Sequence, residues 1–330
     1  MGPKGQHFIP RMHLEYFAGS EPVGQVWTYD AATGKSWSCV PKETAVQSHF
    51  YSVPTDDGSM DTRIEQALSQ FEGRAAPVYG DLVAFKIPQG QARAHFAEFL
   101  ALMFARTPAM RRMQAEVIGQ GLQIQQYAYA THAGRFAKLM ERYEADSGKA
   151  LTPEEKENAR QAMLDPSGYR LEIPQTMTLH SLGIADKLAP IFFEMHWALI
   201  EPEHGFFVTS DNPVVRLVDP STRHPMYGDH GFLNKTSEVT FPLTPKLMLL
   251  MSWSEAPVRR AMVPKRYVRG MNEARAAHSE RYLYAHLHHR DLERLAAKFK
   301  SRKPKMVTSG FGPRNFMEVT VGRVGPSRLK

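Results

Sequence analysis

The sequence holds a single cysteine, Cys39. An internal disulfide framework is therefore excluded, and a reducing compartment, the cytoplasm, is the expected setting. Long apolar runs are missing as well. The most apolar stretch, Leu247 to Trp253, falls well short of the roughly 20 residues a bilayer-crossing helix needs, so no membrane partner is expected. The opening Met1-Gly2-Pro3-Lys4-Gly5-Gln6 has no apolar signal core. The glycine patterns of phosphate- and dinucleotide-binding loops are absent, as are the His-Glu-x-x-His of zinc hydrolases and the Gly-x-Ser-x-Gly nucleophile elbow. Acidic residues are in deficit: 34 Asp and Glu stand against 41 Lys and Arg, giving a net charge of +7.

What is present is ordinary globular composition over 330 residues, 42% hydrophobic and 23% charged, with ample material for a core. The positive excess makes nucleic acid the expected macromolecular partner. Part of that excess gathers near the end, at Lys298, Lys300, Arg302, Lys303 and Lys305, with Arg314, Arg323, Arg328 and Lys330 beyond. The reading is one domain over 1–300 and a basic, Gly- and Pro-rich, partly disordered tail over 301–330.

Periodicity gives a coarse order of elements. A short helix opens near Pro10, followed by a hairpin of Gln25–Tyr29 and Lys35–Val40 and an extended piece at Phe50–Val53. Helical patterns cover 61–73, 91–106, 109–147, 153–165, which Thr152-Pro153-Glu154-Glu155 opens as a capping box, and 175–195, the last with an interruption near Pro190. The helix 91–106 is apolar around much of its circumference and is placed at the centre. Short apolar runs then follow at Phe206–Thr209, Val214–Val218, Glu238–Phe241 and Lys246–Trp253. After them come a helix over 265–279, a strand over Arg281–Ala285 and a helix over 290–300. Strands at both ends and helices between predict an α+β fold. Its centre is a helical bundle packed with a mostly antiparallel sheet, formed by the N-terminal hairpin and the C-terminal strands.

Several side chains suit a site. His7 precedes a helix start and fits a general base or a metal ligand. Glu65 and Glu72 share a helix face but stand about 10 Å apart along the axis, too far to chelate one ion together, so Glu65 ranks first. Arg106 ends the apolar helix before Thr107-Pro108, where it wants a carboxylate or an anionic ligand. Thr209-Ser210-Asp211-Asn212-Pro213 presents a carboxylate and an amide at a strand end, although the same residues suit a tight turn. His286-Leu287-His288-His289 lacks a carboxylate or cysteine at metal-ligand spacing and is set aside.

One ordered series of motifs carries a resemblance. Gln6-His7-Phe8-Ile9-Pro10 with Leu14 and Phe17 comes first, then Ile64-Glu65 with Leu68 and Phe71-Glu72, then Arg106-Thr107-Pro108. Thr209-Ser210-Asp211-Asn212-Pro213-Val214, Pro242-Leu243-Thr244-Pro245 and Asn272 complete it. Over roughly 6 to 285 the chain resembles the bacterial and fungal family called domain of unknown function 4238. The resemblance marks residues without fixing their chemistry.

The leading expectation is a hydrolase, a metal-dependent nuclease of the kind that serves as a toxin or phage-defence effector. His7, Glu65 and Asp211 would be catalytic around Mg²⁺ or Mn²⁺, and Arg106, Asn212, Ser210 and Asn272 would bind substrate. A non-catalytic nucleic-acid or protein binding module, whose polar residues form a structural network, is one alternative. An enzyme acting on a small anionic metabolite is the other.

Overall fold

The structure, a computed structural model, describes residues 5–55, 59–165, 167, 171–174, 179–218, 221, 231–253 and 259–299; the predicted tail at 301–330 lies outside them. The fold is α+β. The described residues divide into two compact units: one holds those up to Arg111 and those from Leu179 onward, the other those from Arg112 to 174.

The elements run β1 Gly5–His7, α1 Arg11–Glu15, β2 Val26–Asp30, β3 Ser36–Cys39, β4 Val46–Ser48, β5 Val53–Pro54, β6 Met60–Asp61, α2 Arg63–Val83, α3 Gly90–Ala105 and α4 Pro108–Ala130. Then come α5 Ala133–Ser147, α6 Pro153–Leu164, α7 Ile184–Glu194, β7 His196–Pro202, β8 Thr209–Ser210, β9 Val215–Leu217, β10 Glu238–Thr244, β11 Leu247–Ser252, β12 Arg260–Val263, α8 Lys265–His278, β13 Tyr282–Ala285 and α9 Arg290–Lys298. No described helix is long and apolar enough to cross a membrane.

In the smaller unit, α6 opens on the capping box its sequence predicts. Thr152 Oγ1 accepts from the Glu155 amide at 3.1 Å, and Glu155 returns the bond to the Thr152 amide at 2.8 Å. α5 closes at Gly148, whose φ of 66° is the left-handed geometry glycine adopts cheaply.

The larger unit contains two main sheets. The N-terminal hairpin joins C-terminal strands in the order β3-β2-β13-β8, all antiparallel. The second sheet, β12-β7-β11-β10-β9, comes entirely from the C-terminal half, and only its β12–β7 pair is parallel. β7 is the strand the sequence reading passes over. Its Trp197-Ala198-Leu199-Ile200 core is an unbroken buried run, so alternation gives no signal. One helix runs farther than predicted: α2 continues through Pro77 to Val83. α7 runs through Pro190 without the predicted interruption. A proline inside a helix costs about 3 kcal/mol. Burial of Val78, Tyr79 and Leu82 in one helix, and of Leu188 and Phe192 in the other, offsets it.

α3 lies in the core as its apolar circumference predicts, with Phe96, Phe99, Leu100 and Met103 all buried. Beside it lies a buried polar group, His13 of α1. Its Nδ1 is 2.9 Å from Tyr79 Oη and its Nε2 is 2.8 Å from Thr209 Oγ1. Tyr79 spends its one hydroxyl proton on the Leu243 carbonyl at 2.7 Å. It must therefore accept from His13, so the imidazole carries its proton on Nδ1 and accepts from Thr209 at Nε2. A second proton would collide with the Thr209 donor. Burial, with Arg275 and Arg106 nearby, pushes the His13 pKa down to about 3.

The unfolded chain titrates this histidine near 6.5 and the folded chain near 3. Between those values the unfolded state binds more protons, so stability is full above 6.5 and falls as pH drops toward 3. The expected slope from this one residue approaches 1.4 kcal/mol per pH unit at about pH 5. Urea midpoints measured from pH 7 to pH 4 should fall more steeply in the natural protein than in His13→Gln; parallel slopes would contradict the neutral imidazole.

Candidate functional site

The first strand sets the site. β1 pairs antiparallel with β4, Gly5 opposite Ser48 and His7 opposite Val46. A Cβ at Gly5 would stand 2.8 Å from Val46 Cγ1, so a larger residue there would have to displace that side chain. Strand alternation turns Gln6 and Phe8 inward and leaves His7 half-buried. Gln6 is wholly buried and clamps the next segment, donating to Ser52 Oγ at 2.7 Å and accepting from the Tyr51 amide at 2.6 Å. Burial lowers the His7 pKa, against the carbonyls of Pro41 and Lys42 and the carboxylate of Glu72. His7 Nε2 is buried and has no hydrogen-bond partner among the described residues.

α2 brings Glu65 and Glu72 to the same place, and Arg106 arrives from the end of α3. Arg106 is 2% exposed and donates from Nη1 to Glu72 Oε1 at 2.7 Å. Its Nη2 meets Met103 Sδ at 3.4 Å, its carbonyl accepts from the Tyr51 hydroxyl at 3.3 Å, and its Nε is buried without a partner. Burial would lower the guanidinium pKa, but Glu72, Tyr51 and Glu65 raise it overall. Glu65 is half-buried, and burial raises its pKa, with Arg106 opposing and Glu72 adding. Arg111, at the start of α4, lies 3.9 Å over the Phe50 ring, with Nε and Nη2 buried and without a partner among the described residues.

Arg106 and Glu72 act electrostatically on both His7 and Glu65, although no hydrogen bond joins His7, Glu65 and Arg106 to one another among the described residues. The cluster also contains Glu72, Tyr51 and Arg111, which the sequence reading ranks low or omits. Glu72, which ranks second because two carboxylates seven residues apart cannot share an ion, is the one that pairs with Arg106, while Glu65 acts on the same guanidinium through space. Arg111 had a usable signal, a second arginine just past the same Thr107-Pro108 turn. Tyr51 had none, because its segment is held by residues distant in the chain, Gln6 and Arg106.

The Thr209–Pro213 motif does other work. Asp211 is 1% exposed, and its two oxygens accept the backbone amides of Glu280, Arg281 and Tyr282 at 2.8, 2.6 and 2.8 Å. Burial pushes its carboxyl up to about 7, against the pull of these three amides. Its charged neighbour is Glu280, and it makes no bond with His7, Glu65 or Arg106. Ser210 Oγ accepts from the Asn212 amide at 3.1 Å and donates to the Asn212 carbonyl at 2.9 Å, while Asn212 Nδ2 reaches the His278 carbonyl at 3.0 Å. Asn272 accepts from the Val208 amide at 3.0 Å and donates to the Phe206 carbonyl at 2.9 Å, acting as a one-residue strand. Arg275, wholly buried, donates to the carbonyls of Pro213 and Thr240. Lacking a carboxylate partner among the described residues, it has its pKa lowered by burial to about 9. In the set-aside histidine segment, His286 packs edge-on against Phe206, His288 meets Glu293 at 3.0 Å, and His289 caps α9 through the Asp291 amide.

The donor set fits the expected Mg²⁺ or Mn²⁺ poorly. Asp211 spends both oxygens on amides, and Glu72 is held by Arg106. Glu65 and His7 remain, and the guanidinium of Arg106 acts electrostatically on both.

Two substitutions separate the networks. Glu72→Ala leaves the Arg106 charge buried and alone, at an expected cost of about 3–5 kcal/mol. Asp211→Ala strands three amides, each costing about 1–3 kcal/mol. Both losses should appear as lower urea midpoints; a variant that unfolds like the natural protein would show that its side chain does not hold the fold.

Comparison with curated proteins and with solved structures finds no match. Residues 5–289 match the family described as protein of unknown function DUF4238, and the chain belongs to that family.

Proposed function

We propose that this protein is a nuclease that cleaves RNA phosphodiesters by internal transesterification, with paired acid–base catalysis at His7 and Glu65. The observation that carries the reading is electrostatic. Two half-buried titratable groups act on one Glu72–Arg106 pair, the carboxyl with its pKa raised and the imidazole with its pKa lowered. Groups driven toward one another in this way suit proton transfer in both directions. The unpartnered N–H groups of Arg111 supply donors for the non-bridging phosphate oxygens. Arg106, sealed beneath them, positions Glu72 and sets the local field.

RNA fits this donor set because it carries its own nucleophile. Glu65 takes the proton of the 2′-hydroxyl as O2′ bonds to phosphorus. The bond from phosphorus to O5′ breaks, and the His7 imidazolium protonates the departing oxygen. The products are a 2′,3′-cyclic phosphate and a 5′-hydroxyl end. No step is assigned to a divalent cation.

Catalysis needs Glu65 ionised and His7 protonated. The acid limb of the rate profile should therefore lie above 4.5 and the alkaline limb below 6.5, with the maximum on the acid side of neutrality. A fluorescent RNA oligonucleotide incubated with excess chelator should yield cyclic-phosphate ends. His7→Ala and Glu65→Gln should each slow it by about 10²-fold or more while leaving the melting temperature nearly unchanged. No cleavage between pH 4 and 8, or equal cleavage by both variants and the natural protein, would overturn the assignment. Equal loss of stability and activity would instead favour a purely structural network.

A further inference from the structure

A second feature lies apart from the His7 cluster. Helices α8 and α9, with the loop at His204–Phe206, enclose a cleft of about 730 Å³. Each helix gives it a pair of cations at i and i+4 spacing, Lys265 and Arg269 from one and Arg294 and Lys298 from the other. This spacing puts both members of a pair on the same helix face, so two basic rails border one groove.

The opposing charge is smaller. Glu273 is shared by Arg269 at 3.5 Å and Lys298 at 3.1 Å, and Asp291 meets Arg294 at 3.3 Å. Four cations thus face two carboxylates, and Lys265 has no carboxylate partner among the described residues. Arg269 and Arg294 are 80% and 78% exposed, so these are weak surface pairs that a phosphate can replace. The wall between the rails is aromatic. Phe206 lines the cleft, with the ring of His286 packed edge-on at 4.8 Å and that of His289 at 6.4 Å.

We infer that this cleft is a docking groove for single-stranded nucleic acid, the rails tracking phosphates and Phe206 with His289 receiving unstacked bases. A positively charged groove with aromatic side chains inside it is the chemistry that holds single strands with little regard to sequence. The cleft is of small-pocket size, roughly 300–1,000 Å³, which admits individual bases but not a stacked duplex. The basic run Lys300, Arg302, Lys303 and Lys305 follows α9 directly in the sequence. The inference rests on the RNA reading above for the identity of the polymer, but it is measured by binding and needs no cleavage.

The test is fluorescence anisotropy of a short labelled single-stranded RNA with the full-length protein, using the His7→Ala background so that the probe stays intact. Combined Lys265→Glu, Arg269→Glu and Arg294→Glu should weaken binding at least tenfold. The same change should flatten the plot of log affinity against log salt by about 2, since each lost phosphate contact removes about 0.7 from the slope. Phe206→Ala should weaken binding about tenfold with the slope unchanged, as expected for lost stacking. The milder Lys265→Gln, Arg269→Gln and Arg294→Gln combination, with its circular dichroism checked, covers a charge reversal that fails to fold. Unchanged affinity in the folded variants overturns the groove, as does equal affinity for a duplex of the same sequence. RNA that binds through the cleft but is never cut by the natural protein sinks the nuclease reading alone. RNA that is cut by cleft variants with undiminished affinity sinks the groove alone.

Discussion

The larger unit is organised around one neutral imidazole. His13 donates to Tyr79 and accepts from Thr209, so a single side chain of α1 is hydrogen-bonded at once to α2 and to β8. Tyr79 passes the chain of bonds on to the Leu243 carbonyl in β10, and the ring lies 4.8 Å from that of Phe241. A polar group this deeply buried is tolerable only when every donor and acceptor is matched. Here that condition fixes the tautomer. Elements separated by nearly 200 residues of chain are thereby held in one register, and the N-terminal segment that carries His7 is held with them.

Two further devices use the same logic with charge. Asp211 gathers three consecutive amides at the turn between α8 and β13, while Asp30 takes Arg281 in a two-bonded pair at 2.9 and 2.7 Å. The hairpin, the Thr209–Pro213 segment and β13 are locked as one sheet in this way. Around His7 the pairing runs from side chain to side chain. Arg106 donates to Glu72, while Arg106 Nε, His7 Nε2 and Nε and Nη2 of Arg111 are buried without a partner among the described residues. Such atoms also occur in the networks that hold the fold, at Asn212 Oδ1 and Arg275 Nε.

Several features were legible in the residues alone, each because its cause is local. The hairpin, the all-apolar α3, the capping box at Thr152 and the sequence of helices and strands all follow from neighbours within one or two turns of chain. The family is likewise legible, since ordered motifs survive without coordinates. The far limit of α2 and the continuity of α7 through Pro190 were not, because burial beyond each proline overrides it. β7 was hidden for a related reason: a strand covered on both faces does not alternate.

The candidate site divides along the same line. Sequence alone singled out His7, Glu65 and Arg106, and the guanidinium of Arg106 acts electrostatically on the other two. It could not tell that Asp211, Ser210, Asn212 and Asn272 serve the backbone, because an Asp before Asn-Pro reads the same whether its oxygens face amides or a substrate. Nor could it show that Glu72 holds Arg106, that Arg111 lies over Phe50, or that two helices turn their cations into one cleft. Those relations join residues tens of positions apart, and partnership at that distance is set by packing. Composition determined the excess of positive charge and the lack of disulfides; only the tertiary structure decided which polar atoms are satisfied and which remain open.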